Sequence, residues 1–173
     1  MEYLNEERLG ETLRLIFNKE FIYDKAVPNS KNKRKRPDYR NDELMLIVEF
    51  DGFQHYNCTK NILSDIEKDK DYSELGYKVI RIPYFIQLNT DTINRLFNIK
   101  LEKDIYKYPQ GFIDNKALLP SDFCELGIEK FVADLEIFSH LKEDILDSLK
   151  NKINELKDIR LVLPKSLLYL LDK

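Results

Sequence analysis

The chain has 173 residues, with 28 Lys and Arg against 31 Asp and Glu, so its formal net charge is −3. That length suits one substantial core, and the composition is that of an ordinary globular protein. No apolar run approaches the roughly 20 residues of a membrane span, and the N-terminus MEYLNEERLG lacks a signal-peptide pattern. The expected location is cytoplasmic, without membrane attachment. Cys58 and Cys124 have no CxxC partner, which argues against a structural zinc site or a disulfide framework.

In chain order, residues 5–17 repeat apolar side chains at Leu9, Leu13, Ile16 and Phe17, the spacing of an amphipathic helix. Asn5 is its expected N-cap, and Glu6 and Glu7 fall in the first turn, where acids suit the helix dipole. FIYDKAV (21–27) is rich in β-formers and predicts a first strand. A loop follows, carrying Lys31, Lys33, Arg34, Lys35 and Arg36, five cations in six residues. A charge run is ordinarily a solvated face. Here it abuts acidic strand ends, which favours a phosphate-tracking, DNA-binding loop.

RPDYRNDELMLIVEFDGFQHY (36–56) reads as strand, turn at Asn41-Asp42-Glu43, and strand. From 44 to 51 the second strand alternates Leu44, Leu46, Val48, Phe50 with Met45, Ile47, Glu49, Asp51. Its first half is apolar on both faces, which predicts an interior strand. A register with Asp38 opposite Ile47 or Glu49 puts three carboxylates on one face, Asp38 and Glu49 about 5 to 8 Å apart. A slip of one residue would move Asp38 to the other face.

Buried carboxylates need compensation, and a divalent metal is the usual one. Mg²⁺, with Mn²⁺ as substitute, takes one or two carboxylates plus waters and substrate phosphate. Asp38 and Glu49 fit that need, with Asp51 completing the set directly or through water. Glu6 would approach from the first helix. Gly52 permits a sharp bend before Gln54 and His55, and His55 is a candidate base, water-positioning group or phosphate donor. Such a set points to metal-dependent phosphodiester cleavage.

Residues 62–75 predict a helix ending at Gly76, with Asp65, Glu67, Lys68, Asp69, Lys70 and Asp71 on a mostly solvated face. Lys70 is the member expected to face the site. KVIRIPYF (78–85) predicts a strand in which Arg81 must meet a carboxylate or the scissile phosphate. TDTINRLF (90–97) predicts a short helix. YKYPQGF (106–112) is expected as a loop. Beyond it the chain turns helical, with Ser121 as a cap, an apolar stripe from Ile128 to Leu156, and a helix opened by Pro164. That stripe suits core packing or a homodimer surface.

Pro37-Asp38 followed by Glu49-x-Asp51 resembles the PD-(D/E)xK nuclease superfamily. The strings EFDGFQHY and DIEKDKDYSELGYKVIRIPYF look like phage and bacterial nucleases related to very-short-patch-repair and EDxHD homing endonucleases. The resemblance spans about residues 4–97. Within it Glu6 matches the glutamate of ExxLxxxL, Asp38 the central metal ligand, Glu49 the second acid, and Asp51 and His55 the DG-x-x-H segment. It implies an α/β, restriction-endonuclease-like mixed sheet flanked by helices in residues 1–100 and hydrolysis of DNA, expected to be double-stranded, in a bacterial or phage-infected cell. Residues 101–173, read as a helical extension for DNA binding, oligomerisation or core support, lie outside the resemblance. The superfamily lysine is missing, since Asp51 stands in its place, so Gln54, His55 or Lys70 would have to replace it. The competing expectations are a non-catalytic DNA-binding or assembly subunit that keeps the nuclease fold, and an RNA-directed or toxin-like nuclease.

Overall fold

In the computed structural model, which describes residues 4–105 and 121–172, the first helix α1 spans Glu6–Phe17. Asn5 caps it, its side chain accepting from the Arg8 N–H at 2.8 Å. Strands β1 (Ile22–Tyr23), β2 (Tyr39–Asn41) and β3 (Leu46–Asp51) follow. A short helix α2 (Gln54–Asn57), which the sequence reading does not predict, leads into α3 (Thr59–Glu74). Strand β4 (Lys78–Pro83) and helix α4 (Thr90–Phe97) complete the first part. Helices α5 (Glu125–Ile137) and α6 (Lys142–Leu156) come next, then 3₁₀ turns at Ile159–Leu161 and Lys165–Leu171. None of the helices is long and apolar enough to cross a membrane among the described residues.

The strands form a four-stranded sheet in the order β1-β2-β3-β4, antiparallel except for the parallel β3–β4 pair. The molecule is thus α/β, with a mixed sheet flanked by helices, and β3 lies inside the sheet as its two apolar faces predict. Leu46 and Val48 join Leu9 and Leu13 of α1 in the larger core cluster. Ile47, on the opposite face, packs with Val27, Tyr72 and Tyr77 in a smaller one. α3 therefore covers the face that turns acidic at Glu49 and Asp51.

Several boundaries differ from expectation for local reasons. The strand expected over 21–27 stops at Tyr23, because Asp24 has φ +42° and its N–H donates to the Asp38 carbonyl at 3.1 Å. β3 begins at Leu46 rather than 44: Met45 has φ +48°, and the Leu44 N–H closes a turn onto Asn41 Oδ1 at 2.9 Å. Ser121 does not cap α5. Its hydroxyl donates to the Arg160 carbonyl, and Cys124 occupies the cap position. Pro164 opens a 3₁₀ segment instead of an α-helix. Gly76, at φ +90°, ends α3 region as the glycine requires. The loop expected at 106–112 lies outside the described residues, and, α2 aside, the order of strands and α-helices from α1 to α4 follows the prediction.

The helical segment is packed on the sheet. Phe131, Leu135, Phe138, Ile145, Leu149 and Leu167 belong to the same cluster as Leu9, Val48 and Ile82. Ile128, Val132, Ile153 and Leu156, also on the apolar stripe, pack against it. Phe131 meets Phe85 at 4.8 Å and Tyr56 at 6.3 Å between ring centroids. Close approach is possible because α5 carries Gly127, where a Cβ would lie 1.4 Å from the Tyr56 carbonyl oxygen.

Candidate active site

The hairpin register pairs Tyr39 with Val48 and Arg40 with Ile47. One step further along the same ladder, Asp38 comes opposite Glu49, on the face that the sequence reading assigns to it. Each is held by the other strand's backbone: the Phe50 N–H donates to Asp38 Oδ2 at 2.6 Å, and the Asp38 N–H to Glu49 Oε2 at 3.3 Å. Glu49 is only 3% exposed. Burial, added to by the Asp38 charge and partly offset by Lys68, pushes its carboxyl up to about 7. Burial also raises Asp38, opposed by the Phe50 N–H and increased by the Glu6 charge. Glu6, in the first turn of α1, is the acid whose charge adds to that rise.

The cation at this pair is Lys68, whose Nζ lies 2.8 Å from Glu49 Oε1. Lys70, the lysine expected to face the site, is exposed on α3 instead. The correction is a matter of helical phase. The buried residues Ile62 and Tyr72 fix the inner face of α3. At about 100° per residue Lys68 flanks that face, whereas Lys70 lies well round to the far side. Registering the helix on those two buried positions would have selected Lys68 from sequence. Gln54 is likewise exposed, at the start of α2, and does not reach the acids.

Asp51 departs from its expected role beside Asp38 and Glu49. It is fully buried and held by cations: Arg81 Nη1 at 2.5 Å, Lys130 Nζ at 3.1 Å and His55 Nδ1 at 3.7 Å. Arg81 also grips Asp69 through Nε and Nη2, both at 2.8 Å, and reaches Asp65 at 3.4 Å. The carboxylate alternative predicted for Arg81 is the one observed, with its guanidinium engaged by Asp51, Asp65 and Asp69. Lys130 was not foreseen, because α5 is remote in sequence. It also bonds Asp134 at 3.1 Å, and it lies 5.1 Å from the centre of the Tyr56 ring.

His55 gives Nδ1 to Asp65 Oδ2 at 2.5 Å. Burial works against its charge, but the Asp65 hydrogen bond and the Asp51 and Asp65 charges outweigh it and raise its pKa. Asp65, despite burial, is lowered by the same bond and by Arg81. Asp51, His55 and Asp65 bring ligand atoms within 4.8 Å of one another, a spacing that can hold a metal ion. Arg81 and Lys130 already oppose the Asp51 charge, however, and would repel a dication there. The hard-oxygen pair Asp38 and Glu49 has the fewer cations and the greater unmet charge.

The basic loop is partly spent within the protein. Lys31 pairs with Glu74, Lys35 with Glu67 at 3.0 Å, and Arg36 with Asp24 at 3.3 Å. Lys33 and Arg34 are exposed and make no ion pair among the described residues. They are the cations of that loop left for an external anion.

Comparison of this chain with protein-family models, with curated proteins and with solved structures finds no match.

Proposed function

We propose that the protein is a metal-dependent DNA endonuclease. The observation that carries this reading is the Asp38–Glu49 pair: two carboxylates placed side by side at the end of an interior hairpin, with the Lys68 ammonium on one of them. Asp38 and Glu49 are the groups that would hold Mg²⁺ or Mn²⁺, since both offer hard oxygen and the raised pKa values mark negative charge in want of a cation. A bound dication supplies Lewis-acid polarisation of a phosphate and a more acidic water. Lys68 takes the place of the missing superfamily lysine, a cation able to offset charge growing at phosphorus. His55, kept toward its protonated form by Asp65 and Asp51, is suited to donate to a phosphate or leaving oxygen rather than to take a proton. Lys33 and Arg34 would meet the phosphate backbone from the adjacent loop.

The test is incubation of supercoiled plasmid with Mg²⁺ or Mn²⁺. Conversion to nicked or linear DNA is expected. Asp38→Ala should abolish it while DNA binding stays equal or tightens, because a negative charge near phosphate is removed; lost binding would instead assign Asp38 a folding role. The second reading is a non-catalytic assembly subunit. The Lys68–Glu49 ion pair favours it, because it satisfies Glu49 without a metal. That reading predicts DNA binding with no heat of Mg²⁺ or Mn²⁺ association in calorimetry and no cutting.

A further inference from the structure

On the α1 side of the sheet edge lies a cleft of about 310 Å³, lined by Phe21, Tyr23, Tyr39, Glu7, Glu11 and Arg14 with Gly10 at its wall. Tyr23 is 53% exposed although it sits in a strand. Its ring packs against Tyr39, its cross-strand partner, at 5.3 Å between centroids, and Glu6 beside its hydroxyl raises its pKa. Tyr39 in turn donates to the Glu6 carbonyl at 2.9 Å and lies so close beneath α1 that a Cβ on Gly10 would come within 2.4 Å of its hydroxyl. Asp38 directly precedes Tyr39 in the chain, so the cleft and the acid pair lie at the same end of the sheet, Tyr39 facing α1 and Asp38 facing α3.

Two features define what can enter. The exposed face of Tyr23 is a fixed flat apolar surface, which suits a planar group at little entropic cost. The rim carries Glu7 and Glu11, while Arg14 already pairs with Glu20 at 3.1 Å. Carboxylates repel a phosphate but accept from an exocyclic amine, as they do from the amino group of cytosine. We infer that this cleft is a subsite for one unpaired nucleobase beside the scissile phosphate, stacked on Tyr23 and preferring amino-bearing bases to thymine. A base inside a duplex has both faces covered, so the occupant is a base at a strand end, in a single strand or turned out of the helix. This deepens the endonuclease reading and rests on it for the position of the phosphate.

The test uses Ca²⁺ in place of Mg²⁺ and measures binding of single-stranded oligo-dA, oligo-dC and oligo-dT to the full chain, with plasmid cleavage in Mg²⁺ run in parallel. Tyr23→Leu should weaken binding of oligo-dC and oligo-dA about tenfold, and Tyr23→Phe should restore it. Glu7→Gln with Glu11→Gln should erase the preference over oligo-dT. If Tyr23→Leu does not fold, the fluorescence of 2-aminopurine in an unpaired position bound to the wild type decides: quenching supports stacking and an unquenched probe overturns it. Plasmid cleavage with Tyr23-independent binding overturns the subsite and leaves the nuclease reading standing. Tyr23-dependent binding without cleavage does the reverse. Absence of both overturns the two together.

Discussion

In the proposed endonuclease reading the chemistry turns on Glu49, and its titration yields a pH prediction. Its folded-state value, about 7, lies above its ordinary 4.5, so the folded protein holds that proton more tightly than the unfolded chain. The associated stability is complete below the unfolded value and is lost as pH rises through 7. The loss is on the order of 3 kcal/mol. Thermal melts without metal should therefore fall between pH 5 and pH 8. Mg²⁺ or Mn²⁺ should raise the melting temperature more at pH 8 than at pH 5, since deprotonation creates the ligand; an equal rise at both would remove Glu49 from the metal set. At Lys68 the expectation is kinetic. Lys68→Met should lower cleavage by about 100-fold or more, whereas Lys70→Met should stay near the wild type in a plasmid assay. The sequence showed both lysines in one sign-alternating run, and only the helical phase set by Ile62 and Tyr72 separates them.

Among the elements, α5 has the most to explain, because it ties the helical segment to the sheet by charge as well as by packing. Lys130 faces Asp51 and Asp134 in a largely buried position. Losing Lys130 leaves the buried Asp134 without a cation, held only by the Tyr56 hydroxyl among the described residues, so Lys130→Met should cost about 3–5 kcal/mol in urea unfolding. Adding Asp134→Asn should recover part of that loss, because the orphaned charge goes with it. Gly127→Ala acts by sterics at the same contact. A Cβ placed 1.4 Å from the Tyr56 oxygen forces α5 off α2, for a loss of about 1–3 kcal/mol or more. The sequence offered no sign of either residue's partner. Lys130 reads as one more charge on an amphipathic helix, and Gly127 as a weak spot near its start.

For the whole molecule, one apolar cluster runs from Leu4 and Leu9 through Val48, Ile82 and Phe85 to Phe131, Leu149 and Leu167. A core shared in this way favours cooperative unfolding. Calorimetry should give a single transition, and two resolved transitions would mean that residues 1–100 and 101–173 fold independently. The apolar stripe over α5 and α6 is used in that core, with Ile137, 51% exposed, outside it. Light scattering would show whether any dimer forms, and a dimer would have to use a surface other than the buried positions of the stripe.

The sequence by itself determined what is local. Asn5 as a cap, the helix at 90–97, the interior position of β3 and the alternation that puts Glu49 and Asp51 on one face all follow from neighbours within a few residues. The hairpin brought Asp38 to Glu49 because turn and alternation fix register over so short a span. Tertiary structure decided where the charges are spent. Asp51 reads like Glu49 in sequence, yet Arg81 from β4 and Lys130 from α5 converge on it, while Glu49 pairs among the described residues with Lys68. Electrostatic pairing depends on distance in space, and partners dozens of residues apart leave no periodic trace in the chain. The acid pair was legible as a pair; which cation meets it became visible only once α3 lay across the sheet.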